Sequence, residues 1–246
     1  MLIKPKFWQI KNHPLSIIFS PLSFLYNLIH KFLELISNEI DAQIFTICIG
    51  NLSMGGSGKT PVVLALRKLL SRKYKKIYVL SRGYRGSNKK AKLVNKNDSI
   101  DLVGDEAILH RRYGNICIAK NRVEGARLCR KNKADLLILD DGLQTKHIKK
   151  NISFIVFDTL EQFGNRKVFP AGPLREDIRY GFSKADAFIV IKNSDNNLDI
   201  NFPEEKPIFI AKKKIKVPKL KTKNVMAFCG LGSPENFYSI LESYGL

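Results

Sequence analysis

The sequence is short of acid. Its 246 residues carry 42 Lys and Arg against 22 Asp and Glu, a formal charge of +20 at pH 7. Such an excess suits nucleic acid, an anionic membrane surface or a multiply phosphorylated substrate. Many of the cations are lysines in polar stretches that read as surface loops, among them Lys73, Lys75, Lys76, Lys89, Lys90, Lys212, Lys213 and Lys214. The charge alone therefore names no partner. Cysteine is scarce as well. Cys48, Cys117, Cys129 and Cys229 show no Cys-x-x-Cys spacing, so no zinc motif is visible and free thiols in a reducing compartment are expected. Missing too is an unbroken apolar run of about 20 residues, the length that crosses a bilayer. Leu15 to Ile36 comes nearest, but Pro21 and the polar set Ser23, Asn27, His30, Lys31 and Glu34 interrupt it. No small-residue cleavage site follows, so a signal peptide is not expected. Neither a repeat nor a linker divides the chain, and its length suits one large α/β domain with a full core.

What is present is organised around Gly50-Asn-Leu-Ser-Met-Gly-Gly-Ser-Gly-Lys-Thr-Pro61. This stretch follows a β-type run, Ile44 to Ile49, and precedes a helical pattern from Lys59 to about Ser71. Strand, Gly-rich loop and helix in that order cradle nucleotide phosphates. Gly55, Gly56 and Gly58 let successive N–H groups converge on one anion. Lys59 would reach the β and γ phosphates, and the Thr60 hydroxyl would sit on Mg²⁺. Ser53 stands where the usual pattern has Gly, and the competing reading is a Gly-rich turn that happens to contain Lys and Thr.

The remaining elements alternate. Strands are expected at Ile77–Ser81, Ile116–Ala119, Asp135–Asp140, Ser153–Phe157, Ala187–Ile191 and Val225–Cys229, with helices at Gly104–Arg112 and Arg122–Lys131. Asn88 to Asp98 reads as a surface loop or hairpin. This order implies a parallel sheet whose site lies at the strand carboxyl ends. Near the amino terminus, Leu22, Leu25, Leu28, Ile29, Phe32, Leu33 and Ile36 recur at helical spacing, with the polar set largely opposite. That amphipathic helix either lies in a membrane interface or docks on the core; the pattern does not choose.

Chemistry-bearing acids follow the strands. Asp140 and Asp141, after an apolar strand, would hold Mg²⁺ beside Thr60, directly or through water, or else cap a turn before Gly142. Asp105 and Glu106 begin a helix, where acids serve as caps or as a general base for an acceptor hydroxyl. Arg175 and Glu176, after Phe169-Pro-Ala-Gly-Pro-Leu174, are an exposed ion pair or groups that touch phosphoryl charge and metal.

GNLSMGGSGKTP, SRGYRG, GDE, DDGLQ, FGN and FPAGPLRE occur in this order, and the set resembles the tetraacyldisaccharide 4′-kinase (lipid A 4′-kinase) family. Pro21-Leu-Ser-Phe-Leu-Tyr26 and Gly230-Leu-Gly-Ser-Pro-Glu-Asn-Phe237 extend the likeness to nearly the whole chain. In that family Ser or Thr is usual at the place of Ser53. The resemblance implies an α/β fold, a P-loop NTPase-like parallel sheet flanked by helices, with an amphipathic membrane-facing helix in residues 1–38 and the kinase domain in 39–246. It implies transfer of the ATP γ-phosphate to the 4′-hydroxyl of a tetraacyldisaccharide 1-phosphate, giving lipid IVA, with Mg²⁺ as cofactor. Ser53, Met54, Gly55, Gly56, Ser57, Gly58, Lys59 and Thr60 would bind the phosphates. Asp105 matches the family's catalytic Asp and would act with Lys59 and Arg175, while Thr60, Asp140, Asp141, Gln144 and Glu176 would surround the metal. The implied partners are the lipid A disaccharide precursor and the anionic inner membrane, on its cytoplasmic face and peripherally. Nucleic acid is not expected, and no protein partner follows.

Two departures stand out. Thr145 occupies the position where the family commonly has His, with His147 two residues on. Family members also continue past Gly230–Phe237 into a segment with an Asp-His-His motif, thought to supply a His that works with the catalytic Asp. The chain ends at Leu246, before it, which implies a C-terminally shortened form. Two other classes stay open at this point: a remnant that binds nucleotide without turnover, and a partitioning-type P-loop ATPase. The latter has Lys at the position of Met54.

Overall fold

The computed structural model describes residues 5–55, 58–159, 163–192, 200–214, 222, 225–229 and 234–245. At its centre is strand β1 (Phe45–Gly50), whose apolar residues are buried from Thr46 onward. Helix α3 (Lys59–Leu70) returns the chain over one face to β2 (Ile77–Ser81). The short β3 (Lys92–Leu93) lies in the polar stretch after β2, followed by α4 (Ile100–Val103), which Ser99 caps. Then come α5 (Asp105–Tyr113), β4 (Asn115–Ile118), α6 (Arg122–Lys131) and β5 (Leu136–Asp140). The second half supplies β6 (Ile152–Asp158), α7 (Ile178–Ser183), β7 (Ala187–Ile191), β8 (Ile208–Ala211) and α8 (Pro234–Ser243).

The strands form one sheet in the order β3-β4-β2-β5-β1-β6-β7-β8. Every pairing is parallel except that of β3 with β4. Helices cover both faces, so successive side chains of one strand enter different cores. Ile47, Ile49, Val79 and Ile138 meet Val62 and Val63 of α3 and Ala107 of α5. Tyr78, Leu80, Leu137 and Leu139 meet Ala126 and Cys129 of α6 instead. An aromatic core of Phe157, Phe163, Phe182 and Phe188 fills the second half. Cys48, Cys117 and Cys129 are buried free thiols, and burial pushes the Cys48 pKa up to about 12.

One expected strand needs correction. Val225–Cys229 forms no strand; these residues lack regular structure, and Met226 and Phe228 lie exposed. The edge beside β7 is taken by Ile208–Ala211, with Phe188 opposite Ile208 and Ile191 opposite Ala211. Four residues after a proline give too short a pattern to stand out, whereas register along β7 selects them.

The amino-terminal segment folds as a 3₁₀ turn (Lys6–Gln9), α1 (Pro14–Ile18) and α2 (Ser20–Leu35). Trp8 is buried in the turn, and its indole N–H donates to the Pro170 carbonyl at 3.0 Å. α2 docks with its polar side. Ser23 Oγ donates to the Val168 carbonyl at 2.8 Å and accepts from the Ala171 N–H at 3.0 Å. Lys146 donates to the His30 carbonyl, and Tyr180 Oη donates to Glu34 Oε2 at 2.6 Å. The apolar side faces outward: Phe24 is 72% exposed and Phe32 60%, with Leu22, Leu25, Leu28, Ile29, Leu33 and Leu35 open to solvent as well. The helix thus docks on the core through its polar side and leaves its apolar side uncovered in this structure. Among the described residues no helix is long and apolar enough to cross a membrane.

Candidate active site

β1 and β5 are neighbours, with Ile49 opposite Asp140. Their carboxyl ends therefore deliver the Gly-rich loop and the Asp140–Asp141 pair to one edge of the sheet, where open α/β folds bind ligands. Gly58 closes the loop at φ 73° and caps α3. A side chain there would be strained, and its Cβ would lie 2.5 Å from Ile191 Cδ1. Gly56 and Ser57 fall outside the described residues. Ser53 is buried and bridges to Leu174, while the Met54 N–H donates to the Pro173 carbonyl at 2.7 Å. Those two contacts fix the loop against the Phe169–Arg175 segment. Gly55, at φ 119°, follows on the exposed side, and Thr60 is half-buried in the first turn of α3.

Lys59 Nζ donates to Asn51 Oδ1 at 3.0 Å and stands 3.5 Å from Asp141 Oδ1. Asp141 is in the left-handed region at φ 56°. Arg175 grips it with a two-pronged contact, Nη1 to Oδ1 and Nη2 to Oδ2, both 3.1 Å. The same Nη1 donates to Gln144 Oε1 at 3.2 Å. Gln144 Nε2 in turn donates to the Asn51 carbonyl at 3.2 Å and to Glu176 Oε1 at 2.9 Å. Glu176 is fully buried and pairs with Lys184. Lys59, Asp141, Gln144, Arg175 and Glu176 are thus brought together. Asp140 lies just beneath, 3% exposed, with its Oδ2 2.7 Å from Nε2 of the buried His110.

Burial pushes the Asp141 pKa up, but Lys59, Arg175 and Arg122 outweigh it and hold the carboxyl below its usual value. A folded pKa below that of an unfolded aspartate, about 3.9, means that the ion-paired carboxylate adds stability at neutral pH. That contribution is lost as pH falls through the folded value. Urea midpoints of the wild type and Asp141→Asn should therefore differ most above about pH 4 and converge below it.

Asp105 is the first residue of α5 and is exposed, its Oδ1 accepting the Glu106 N–H at 2.9 Å. α5 is tied to β5 through His110, which brings its first turn to the same edge. The Glu106 pKa is raised by desolvation and then by Asp140, against the opposing pull of Lys59, with Asp105 and Asp141 adding to the rise. Its side chain is nonetheless exposed, at the solvent edge of the same site. Gly104, at φ 88°, sets the direction of α5, and a Cβ on it would come within 2.2 Å of the Tyr84 carbonyl oxygen. Gly104→Ala is expected to lower stability by about 2 kcal/mol or more and to displace Asp105. A urea melt and a circular dichroism spectrum would check it.

The sequence model of the family Tetraacyldisaccharide-1-P 4′-kinase (LpxK) matches residues 15–246. The chain belongs to that family. Membership makes it a kinase of lipid A biosynthesis. The tetraacyldisaccharide 4′-kinase of Rickettsia canadensis (strain McKiel) is 35% identical over 246 residues, 100% of this chain and 75% of the relative. That of Bradyrhizobium diazoefficiens is 36% identical, over 99% of this chain and 74% of its own length. A crystal structure of LpxK from Aquifex aeolicus in complex with ATP superposes with a TM-score of 0.79 at 26% identity. The superposition covers 94% of this chain and 79% of that one.

Among the five oxygen-bearing residues expected around a metal, Gln144 and Glu176 turn to each other, to Arg175 and to Lys184. Among the described residues no group of three or more His, Cys, Asp or Glu side chains gathers as a metal site. Asn51, His110, Lys184 and Glu34 belong to the constellation, and the sequence pattern does not single them out. Asn51 alone carries a signal, lying inside the Gly50–Pro61 stretch.

Proposed function

We propose that the protein transfers the γ-phosphoryl group of ATP to the 4′-hydroxyl of a tetraacylated disaccharide 1-phosphate at a membrane surface. One observation carries this reading: Lys59, at the head of α3, faces Asp141, at the end of β5, with the Arg175 guanidinium forked on the same carboxylate. Residues Ser53 to Thr60 would cradle the triphosphate through loop amides and the α3 amino terminus. Lys59 and Arg175 would stabilise the charge that gathers on the phosphoryl oxygens. Exposed at the start of α5, Asp105 is open to an incoming acceptor and would take the proton of its hydroxyl.

Mg²⁺ in kinases takes one or two carboxylates, phosphate oxygens and water rather than an all-protein cage. The donor chemistry present fits: Thr60, Asp140 and Asp141 would hold the ion, while Gln144 and Glu176 orient Arg175 and the loop around Asn51. When bound, the ion would neutralise negative charge on the phosphate oxygens.

Residues 1–38 would form the membrane-associating part and 39–246 the kinase part. The outward apolar face of α2 and the charge of +20 support peripheral attachment to an anionic bilayer. Because the step consumes ATP, it would take place on the cytoplasmic face of the inner membrane. Incubation with labelled ATP, Mg²⁺ and the lipid disaccharide in mixed micelles tests the reading. Label in the lipid is expected; nucleotide binding without transfer, or hydrolysis indifferent to the lipid, would overturn it.

A further inference from the structure

A continuous chain of polar contacts joins the outward-facing helix to the phosphate site. Glu34, on the docked side of α2, accepts from Lys184 Nζ at 3.1 Å and from Tyr180 Oη at 2.6 Å. Lys184 also pairs with Glu176, and its ammonium lies 4.2 Å from the centre of the Tyr180 ring. Glu176 continues through Gln144 to Arg175, which forks on Asp141 beside Lys59.

Burial explains why this chain is demanding. Glu176 is fully buried, so its carboxylate needs a charged partner, and leaving such a group unpaired is strongly unfavourable. Lys184, 15% exposed, supplies that charge and shares it with Glu34. Neutralising Glu176 would need only one contact. Sharing the ammonium with a helix whose other face is apolar makes the orientation of Glu176 depend on where that helix sits.

We propose that Lys184 is a positioning residue for phosphoryl transfer, which ties the seat of α2 to Glu176 and so lets the membrane surface set the arrangement of Gln144, Arg175 and Asp141. The proposal rests on the reading of this edge as an ATP site and of α2 as a lipid-contacting helix. Such coupling is reciprocal: a surface that favours one seat of α2 tightens nucleotide binding, and nucleotide tightens attachment by the same factor.

The test uses the full chain, a non-hydrolysable ATP analogue with Mg²⁺, and vesicles of phosphatidylethanolamine and phosphatidylglycerol. In the wild type, vesicles should raise analogue affinity by about fivefold or more. Lys184→Met and Glu34→Gln should erase that gain while still sedimenting with vesicles, and Lys184→Arg should keep most of it. In turnover, both disruptive variants should lose kcat with little change in KM for the lipid. Should Lys184→Met fail to fold, Glu34→Gln carries the comparison, since it leaves Lys184 on Glu176. A wild type whose analogue affinity ignores vesicles, or a Glu34→Gln variant that keeps the full gain, would overturn the proposal. A wild type that shows the gain yet never phosphorylates the lipid would support the coupling and refute the functional reading instead.

Discussion

Lys59→Ala is expected to lower kcat for phosphoryl transfer by about a hundred- to a thousandfold. The ammonium is the first side chain after Gly58, and it lies between Asn51 Oδ1 at 3.0 Å and Asp141 Oδ1 at 3.5 Å. In that place it is aimed by the helix that carries it and, in the proposed site, would need little rearrangement to meet a phosphoryl oxygen. Its removal takes away a preorganised charge where negative charge develops. Asp141 keeps both contacts to Arg175, so the fold should survive and the circular dichroism spectrum should not change. Lys59→Arg should rescue little, because a planar fork does not replace a compact point charge among the loop amides. A rate near that of the wild type in Lys59→Ala would remove the phosphate loop from this edge of the sheet.

The second large effect concerns attachment. Replacing Phe24, Leu28 and Phe32 together with serine should weaken vesicle sedimentation by about a hundredfold, on about 1 kcal/mol for each partly inserted side chain. All three are exposed in the folded protein, 72%, 55% and 60% respectively. Their loss should therefore leave the urea midpoint unchanged. Ser23→Ala acts on the other side of the same helix and should behave in the opposite way. It removes contacts to Val168 and Ala171, so it should lower stability and leave sedimentation intact. Unchanged sedimentation of the triple variant would take the lipid-contacting role away from α2.

Much of the sheet is legible in the amino-acid sequence, and the reason is periodicity. β1, β2, β5 and β7 are continuous apolar runs because helices bury both of their faces, and a run of that kind is conspicuous. The loop before Lys59 is legible because glycine is required where φ is positive. β8 is not, since four residues at an edge derive their strand state from pairing with Phe188 to Ile191 and not from any pattern of their own. The same ambiguity makes Val225–Cys229 look like a strand. The helical spacing in α2 separates an apolar from a polar side but does not say which turns inward. That depends on the carbonyls, hydroxyls and ammonium groups that 167–184 presents to it, which are about 145 residues away in sequence. His110 and Lys184 are invisible for a related reason. A lone His in a helix and a lone Lys after one acquire meaning only when folding sets a buried carboxylate beside them.

Seated on a bilayer as proposed, the outward face of α2 would change what concentration means for this kinase. An attached molecule searches a plane instead of a volume, and its encounters with the acceptor depend on how densely that lipid is spread over the leaflet. Diluting the acceptor with inert phospholipid at constant total amount should slow turnover, whereas adding more vesicles of the same composition should not speed it once all the protein is attached.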